Sequence, residues 1–228
     1  MTTVQHRPKD VWILTPLIGS FLFVILYVIA AILYPGGSGA DKTAIGYSWT
    51  NNYWCNLLSK KAINGQINTA RPVAVTAMFI LGLSLFTFWI LFPALTQLKK
   101  YHQLFIQVAG TVCVLTSFLL LTRIDHDLAV NTSSAFGLIA MTGTLIALYQ
   151  LKCPPERQSR AGKWPFAVGL FDLLLVALNN YLYHSNEMRY LPIVQKISFL
   201  CFLIWFSFIS ITLYQRSKST IIFSKSSQ

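Results

Sequence analysis

Apolar residues fall into six blocks separated by polar punctuation, near residues 11–34, 72–96, 103–122, 131–150, 165–184 and 191–214. Each block approaches the ~20 residues that a helix needs to cross the hydrocarbon core of a bilayer. Inside lipid the backbone must satisfy its own hydrogen bonds, so each block is predicted to be an α-helix. The pattern therefore predicts an all-α fold: one polytopic membrane domain over residues 1–228 with six transmembrane helices. The connections are unequal. Residues 35–71 make a long segment between the first two spans, whereas 123–130 and 185–190 are short turns, and long connections are usually functional.

Polar and apolar positions alternate within that segment too. Ile45, Trp49, Tyr53 and Leu57 recur every four residues, while Ser48, Asn52, Cys55, Asn56 and Ser59 fall on the other side of the same helix. The spacing predicts a short amphipathic helix across the membrane boundary, its asparagine side roofing the bundle. Tyr34-Pro35-Gly36-Gly37 should end the first span, because proline cannot continue the helix and glycine tolerates positive φ. Asn64-Gly65 is a turn signal, and Arg71-Pro72 opens the next helix with proline where its missing N–H costs nothing.

Composition narrows the class. With 54% hydrophobic and 11% charged residues and a mean hydropathy of +0.55, the chain has too little polar surface for a soluble globule. A net charge of +11 would suggest nucleic acid in a soluble protein, but its placement points to topology. If the N-terminus is cytoplasmic, the segments on that side hold eleven cations against Asp10 and Glu156. The opposite segments hold Lys42, Lys60, Lys61, Arg71, Arg123 and Arg189 against Asp41, Asp125, Asp127 and Glu187. The cationic bias predicts both termini inside and the 35–71 loop outside, with the bilayer and no nucleic acid as partner. Val11–Tyr34 is longer than a signal-peptide core and is expected to be retained. Cys113 and Cys201 fall within spans, Cys153 inside and Cys55 outside, so no disulfide is expected across the outer face.

Chemistry-bearing residues gather at the outer ends of the spans. A metal or acid/base site can be drawn from Asp125, His126, Asp127 and His184, since a catalytic zinc takes about three such ligands and keeps a position for water. The alternative is that short turns are polar anyway, with Asp127 favouring the start of the fourth helix and Arg123 the end of the third; neither HxxxH nor HExxH is present. Asn180 and His184 are four apart on the fifth span, with Asp172, Asn179 and Tyr183 on an adjoining stripe. Asp172 is the carboxylate well inside a span, a functional hypothesis by default. Lys196 is its obvious partner, but their backbones should differ in depth by roughly 10 Å. Thr87, Gln107, Thr111, Thr142 and Ser207 are expected near the depth of Asp172 instead.

The Tyr34–Gly37 turn, the Ser48-Trp49-Thr50-Asn51-Asn52-Tyr53-Trp54-Cys55-Asn56-Leu57 segment, Arg71-Pro72, His126-Asp127 and Asn179-Asn180-Tyr181 together resemble the bacterial family of domain of unknown function 998. That resemblance implies a six-helix protein of a bacterial inner membrane, with no activity to carry over. A more distant similarity is to the multi-span hydrolases that include alkaline ceramidases, whose site combines Ser, Asp and several His at a metal.

Three functional readings follow. An outward polar cavity binds a lipid headgroup, small solute or membrane partner through Asn52, Arg71, Asn180, His184 and Lys196. A membrane-embedded hydrolase activates water at a divalent metal on His126, His184 and Asp125, with Asp127 beside them. A proton-coupled transporter works through Asp172, although the absence of a visible internal repeat counts against that class.

Overall fold

The computed structural model describes residues 10–96, 98–121, 126–150, 163–185, 187 and 189–226, with backbone alone for 10, 11, 94, 126 and 216–226. Its helices are α1 (Thr15–Leu33), led in by a 3-10 turn at Asp10–Leu14; α2 (Arg71–Ala94); α3 (Lys100–Ser117), continued by a 3-10 turn at Phe118–Leu121; α4 (His126–Gln150); α5 (Lys163–His184); and α6 (Leu191–Ser226). Each is long and apolar enough to cross a membrane. Pro16 and Pro72 sit in the first turns of α1 and α2, where an N–H would lack a partner anyway. The sixth span, expected over 191–214, is found at Leu191–Gln215, and its helix runs on beyond the span to Ser226. No glycine or proline follows Pro192 in that stretch, so nothing in its backbone chemistry ends the helix.

The buried residues form two apolar clusters. One joins Phe88, Trp89 and Phe92 of α2, Ile106 and Ala109 of α3, Met141 and Leu148 of α4, and Trp205, Phe206 and Ile209 of α6. The other joins Phe23 and Tyr27 of α1, Ala74 and Ala77 of α2 and Leu203 of α6 with Tyr34, Leu57, Leu58 and Ala62 from the segment between α1 and α2. Small residues on α2 let α1 approach closely, as is usual where lipid supplies no hydrophobic drive between helices. At Gly169 of α5 an added Cβ would lie 2.4 Å from Trp205 Nε1, so glycine admits the indole, which donates to the Pro165 carbonyl at 2.7 Å. Outward faces stay apolar: Phe21 and Ile32 on α1 and Phe171 and Leu174 on α5 are exposed. Surface of that kind suits lipid and is a liability in water.

Residues 34–70, called the cap below, do not form the expected amphipathic helix. Their helical content is one 3-10 turn at Trp54–Leu58, accompanied by isolated antiparallel bridges between Gly36 and Ile45 and between Lys61 and Ile67. Side chains compete for the backbone here. Asn52 Oδ1 accepts the Ser48 N–H at 2.8 Å, Ser48 Oγ accepts the Asn51 N–H at 3.2 Å, and Asn56 Oδ1 accepts the Tyr53 N–H at 2.7 Å. The four-residue rhythm marks no common face: Leu57 is buried, while Ile45 is 97% exposed. Gly37, at φ +83°, is required by both conformation and space, because a Cβ there would sit 2.4 Å from Asn64 N.

Candidate functional site

The cap is tied to the helix ends beneath it by hydrogen bonds that satisfy otherwise unpaired groups. Thr69 Oγ1 donates to the Leu33 carbonyl at 2.6 Å, supplying a partner to the last turn of α1. The Ile63 N–H donates to the Tyr34 hydroxyl at 3.0 Å, and Arg71 Nε donates to the Leu58 carbonyl at 3.0 Å. Asn68 is the knot that sequence reasoning missed. Its Nδ2 donates to the carbonyls of Asn56, Leu57 and Ser59 at 3.1, 3.2 and 2.8 Å, and its Oδ1 accepts the Ala70 N–H at 3.1 Å. An asparagine two residues ahead of a turn into a helix is the signal that could have found it.

Asn52, 0% exposed, holds the other half of the cap. Besides accepting from Ser48, it donates to the Gly37 carbonyl at 2.8 Å and to Asn56 Oδ1 at 3.4 Å. Its own carbonyl accepts from the Tyr47 hydroxyl at 3.3 Å and from the Lys196 ammonium. Lys196 stands five residues into α6, donates also to the Pro192 carbonyl at 2.9 Å, and lies 5.6 Å from the centroid of the Tyr47 ring. That distance suits a cation–π contact. Next to it, Gln195 Oε1 accepts the Trp54 N–H at 3.3 Å. The Trp54 ring stacks on Tyr27 at 4.7 Å and Phe23 at 5.7 Å, which pins the 3-10 turn to α1. Thus Asn52, Arg71 and Lys196, three of the residues expected to bind a ligand, all engage cap backbone; Asn52 and Lys196 share one carbonyl.

Electrostatics in the cap follow burial. Burial pushes the Cys55 thiol up to about 11, opposed by a hydrogen bond from its own backbone and by nearby Lys196, so at neutral pH it is a thiol and a poor nucleophile. Burial likewise raises Tyr47, with Cys55 and Tyr34 adding to it. On the solvent side, the Thr43 hydroxyl and N–H hold Asp41 below the usual carboxylate range, at 2.7 and 2.8 Å.

The other expected site residues lie elsewhere. Asn180 and His184 are exposed at the end of α5, where His184 meets the Tyr183 ring edge-on. Asp127 is exposed in the first turn of α4. Asp125 and the side chain of His126 lie outside the described residues, as do Arg123 and Cys153. Among the described residues no group of three or more His, Cys, Asp or Glu is disposed to hold a metal ion.

Asp172 is 0% exposed, on the face of α5 that packs against α6. Its Oδ1 accepts from the Ser198 hydroxyl at 3.3 Å, and its Oδ2 has no partner. Ser198 replaces the donors expected from sequence. Gln107 donates to the Ile90 carbonyl, Ser207 to the Leu203 carbonyl and Thr87 to the Leu83 carbonyl, each at 2.8–2.9 Å. Lys196, engaged by the cap, is not among the described partners of Asp172, but Ser198, which is, lies only two residues along α6 from it, so the two sit closer in depth than the roughly 10 Å expected. Asn179, two turns along α5, also carries a buried side-chain oxygen without a partner. A small recess of about 10 Å³ lies at the opposite end of the bundle, between Trp12, Pro16, Phe92 and Leu213.

No known family model matches this chain, and neither a curated protein nor a solved structure is significantly similar to it.

Proposed function

We propose that this chain is a multi-pass membrane protein of the bacterial inner membrane, with both termini cytoplasmic, that recognises an anionic headgroup at its outward cap end. The observation that carries the reading is Lys196. Its ammonium is held under the cap by two carbonyls and an aromatic face, with no carboxylate among those partners. An ammonium has three donors, and two have acceptors here. A phosphate or carboxylate reaching the third would form a charge-assisted hydrogen bond in partly desolvated surroundings, where it is stronger than in water. The exposed Lys60 and Lys61, with Arg71 half-buried at the start of α2, add positive field at the same end. Asn180 and His184 are the exposed polar groups at the end of α5 that complete the mouth on this reading. The distribution of cations along the chain supports the orientation.

The test uses full-length protein in lipid nanodiscs and measures binding of a fluorescent phosphatidic acid, a fluorescent phosphatidylcholine and inorganic phosphate. Losing one charged hydrogen bond is worth about 1.5–3 kcal/mol, so Lys196→Met should weaken phosphatidic acid binding by roughly ten- to a hundredfold. Lys196→Arg should keep most of it, and Lys218→Met, which removes equal charge from the other terminus, should change nothing. Competition by inorganic phosphate would assign recognition to the headgroup alone. Equal binding by wild type and Lys196→Met refutes the reading.

A further inference from the structure

The interior of the bundle holds a carboxyl group with no positive partner among the described residues. Asp172 lies nine residues from Lys163 and twelve from His184, hence roughly 13 and 18 Å from the two ends of α5, near the middle of the span. It is fully buried, its one hydrogen-bond partner is a neutral hydroxyl, and one carboxylate oxygen meets no donor. Removing a carboxylate from water costs far more than one hydroxyl repays, so an ion there needs a compensating charge.

The surrounding elements do not supply it. α5 packs on α6 and α4. From α6 the nearby ionisable groups are Cys201 and Lys196, and Lys196 donates to the Asn52 and Pro192 carbonyls. From α4 the titratable residues are His126, Asp127 and Tyr149, all near its ends. Lys163, Tyr181, Tyr183 and His184 occupy the ends of α5 itself. The second unpartnered oxygen, on Asn179, stands about 10 Å along the same helix from Asp172. With the Ser198 hydroxyl, whose lone pairs remain available, these form a line of acceptors running inward.

We infer that the α5–α6 interface binds a small monocation, a proton or an alkali ion, on Asp172 with Ser198 beside it and Asn179 as the acceptor along its approach. The site uses none of the hydrogen bonds that hold Lys196 and does not rest on headgroup recognition. A cation on Oδ2 completes the coordination of the orphaned oxygen and neutralises the carboxylate in one step. No bond to carbon changes; a proton arrives from water and returns to it, and an alkali ion exchanges part of its hydration shell for protein oxygens.

The experiment uses full-length protein in nanodiscs. Thermal unfolding is followed in sodium, potassium and choline chloride at equal ionic strength, and the infrared carbonyl stretch of protonated carboxyls is recorded from pH 5 to 9. An alkali-ion site predicts a midpoint several degrees higher in sodium or potassium than in choline, a difference absent in Asp172→Asn. A proton site predicts no such difference, but a protonated carboxyl band at pH 7 that Asp172→Asn removes. Ser198→Ala keeps the carboxylate and should shift the cation concentration or the pH at half-effect several-fold, a readout independent of whether Asp172→Asn folds. A wild-type protein with neither cation-specific stabilisation nor a protonated carboxyl band at pH 7 overturns the inference.

Discussion

Replacing Asn52 by leucine tests whether the cap is an ordered structure held by buried amide chemistry. Leucine keeps the branched heavy-atom skeleton of asparagine and is the larger of the two, so no cavity term enters. The substitution leaves the part-buried Ser48 N–H without its acceptor at 2.8 Å and the buried Gly37 carbonyl without its donor at 2.8 Å. Orphaning the buried carbonyl costs about 1–3 kcal/mol, and the part-buried N–H, which water can reach, adds less. At 1.4 kcal/mol per factor of ten, amide exchange at residues 36–52 should accelerate by at least about fivefold, while the cores of α2 and α6 stay protected. Hydrogen–deuterium exchange with peptide-resolved mass spectrometry on the nanodisc-embedded protein reads this directly. Asn51→Ala is the control: that half-buried amide donates to Ser48 Oγ at 3.1 Å, and its loss should cost less than ~1 kcal/mol. Exchange in Asn52→Leu within threefold of wild type would refute the argument that these hydrogen bonds hold the cap closed.

Two glycines with the same hand of backbone should respond differently to alanine. Gly37→Ala combines positive φ with a Cβ 2.4 Å from Asn64 N and should open the cap to limited proteolysis, whereas Gly65→Ala, at φ +86° with open space around it, should cost only about 1 kcal/mol and leave the digest unchanged. Because burial raises Cys55 from near 9 to about 11, maleimide or iodoacetamide should label it at pH 8 about a hundredfold more slowly than an unperturbed thiol. The same shift fixes the sign of its pH effect: the folded form binds the proton more tightly, so the stability this thiol contributes is constant below pH 9 and falls as pH rises through about 11. Unfolding midpoints that stay flat from pH 8 to 11 relative to Cys55→Ala would contradict it.

The candidate site was legible in part. Lys196 was read as a residue of the outer boundary, and it does reach the cap; yet its acceptors are backbone carbonyls, one of them 144 residues away in the chain, and no local pattern encodes such a pairing. Asp172 was flagged as a buried acid because length and hydropathy bracket it on both sides, but Ser198 as its donor depends on the register in which α5 lies against α6. The helix expected over residues 45–57 failed for a related reason. Periodicity counts apolar positions, whereas the backbone there is claimed by Asn52, Asn56 and Ser48 side chains, and Trp54 is drawn out of any helical face by its stack on Tyr27 and Phe23. Asn68 escaped notice because its value lies in three carbonyls that converge only once the 3-10 turn has formed.

By itself the sequence determined that the chain forms six helices long and apolar enough to cross a bilayer. A bilayer forces every crossing segment to be apolar, about twenty residues long and internally hydrogen-bonded, and each of those demands is local. Proline in the first turns of α1 and α2 and glycine after α1 are local too, since they act through one residue's φ and one missing N–H. Only the tertiary structure decided what the polar residues do. A buried amide or ammonium takes whichever acceptor the packed helices bring within about 3 Å, so the knot at Asn68, the cap carbonyl on Lys196 and the open oxygen of Asp172 came into being when α1, α2, α5 and α6 met.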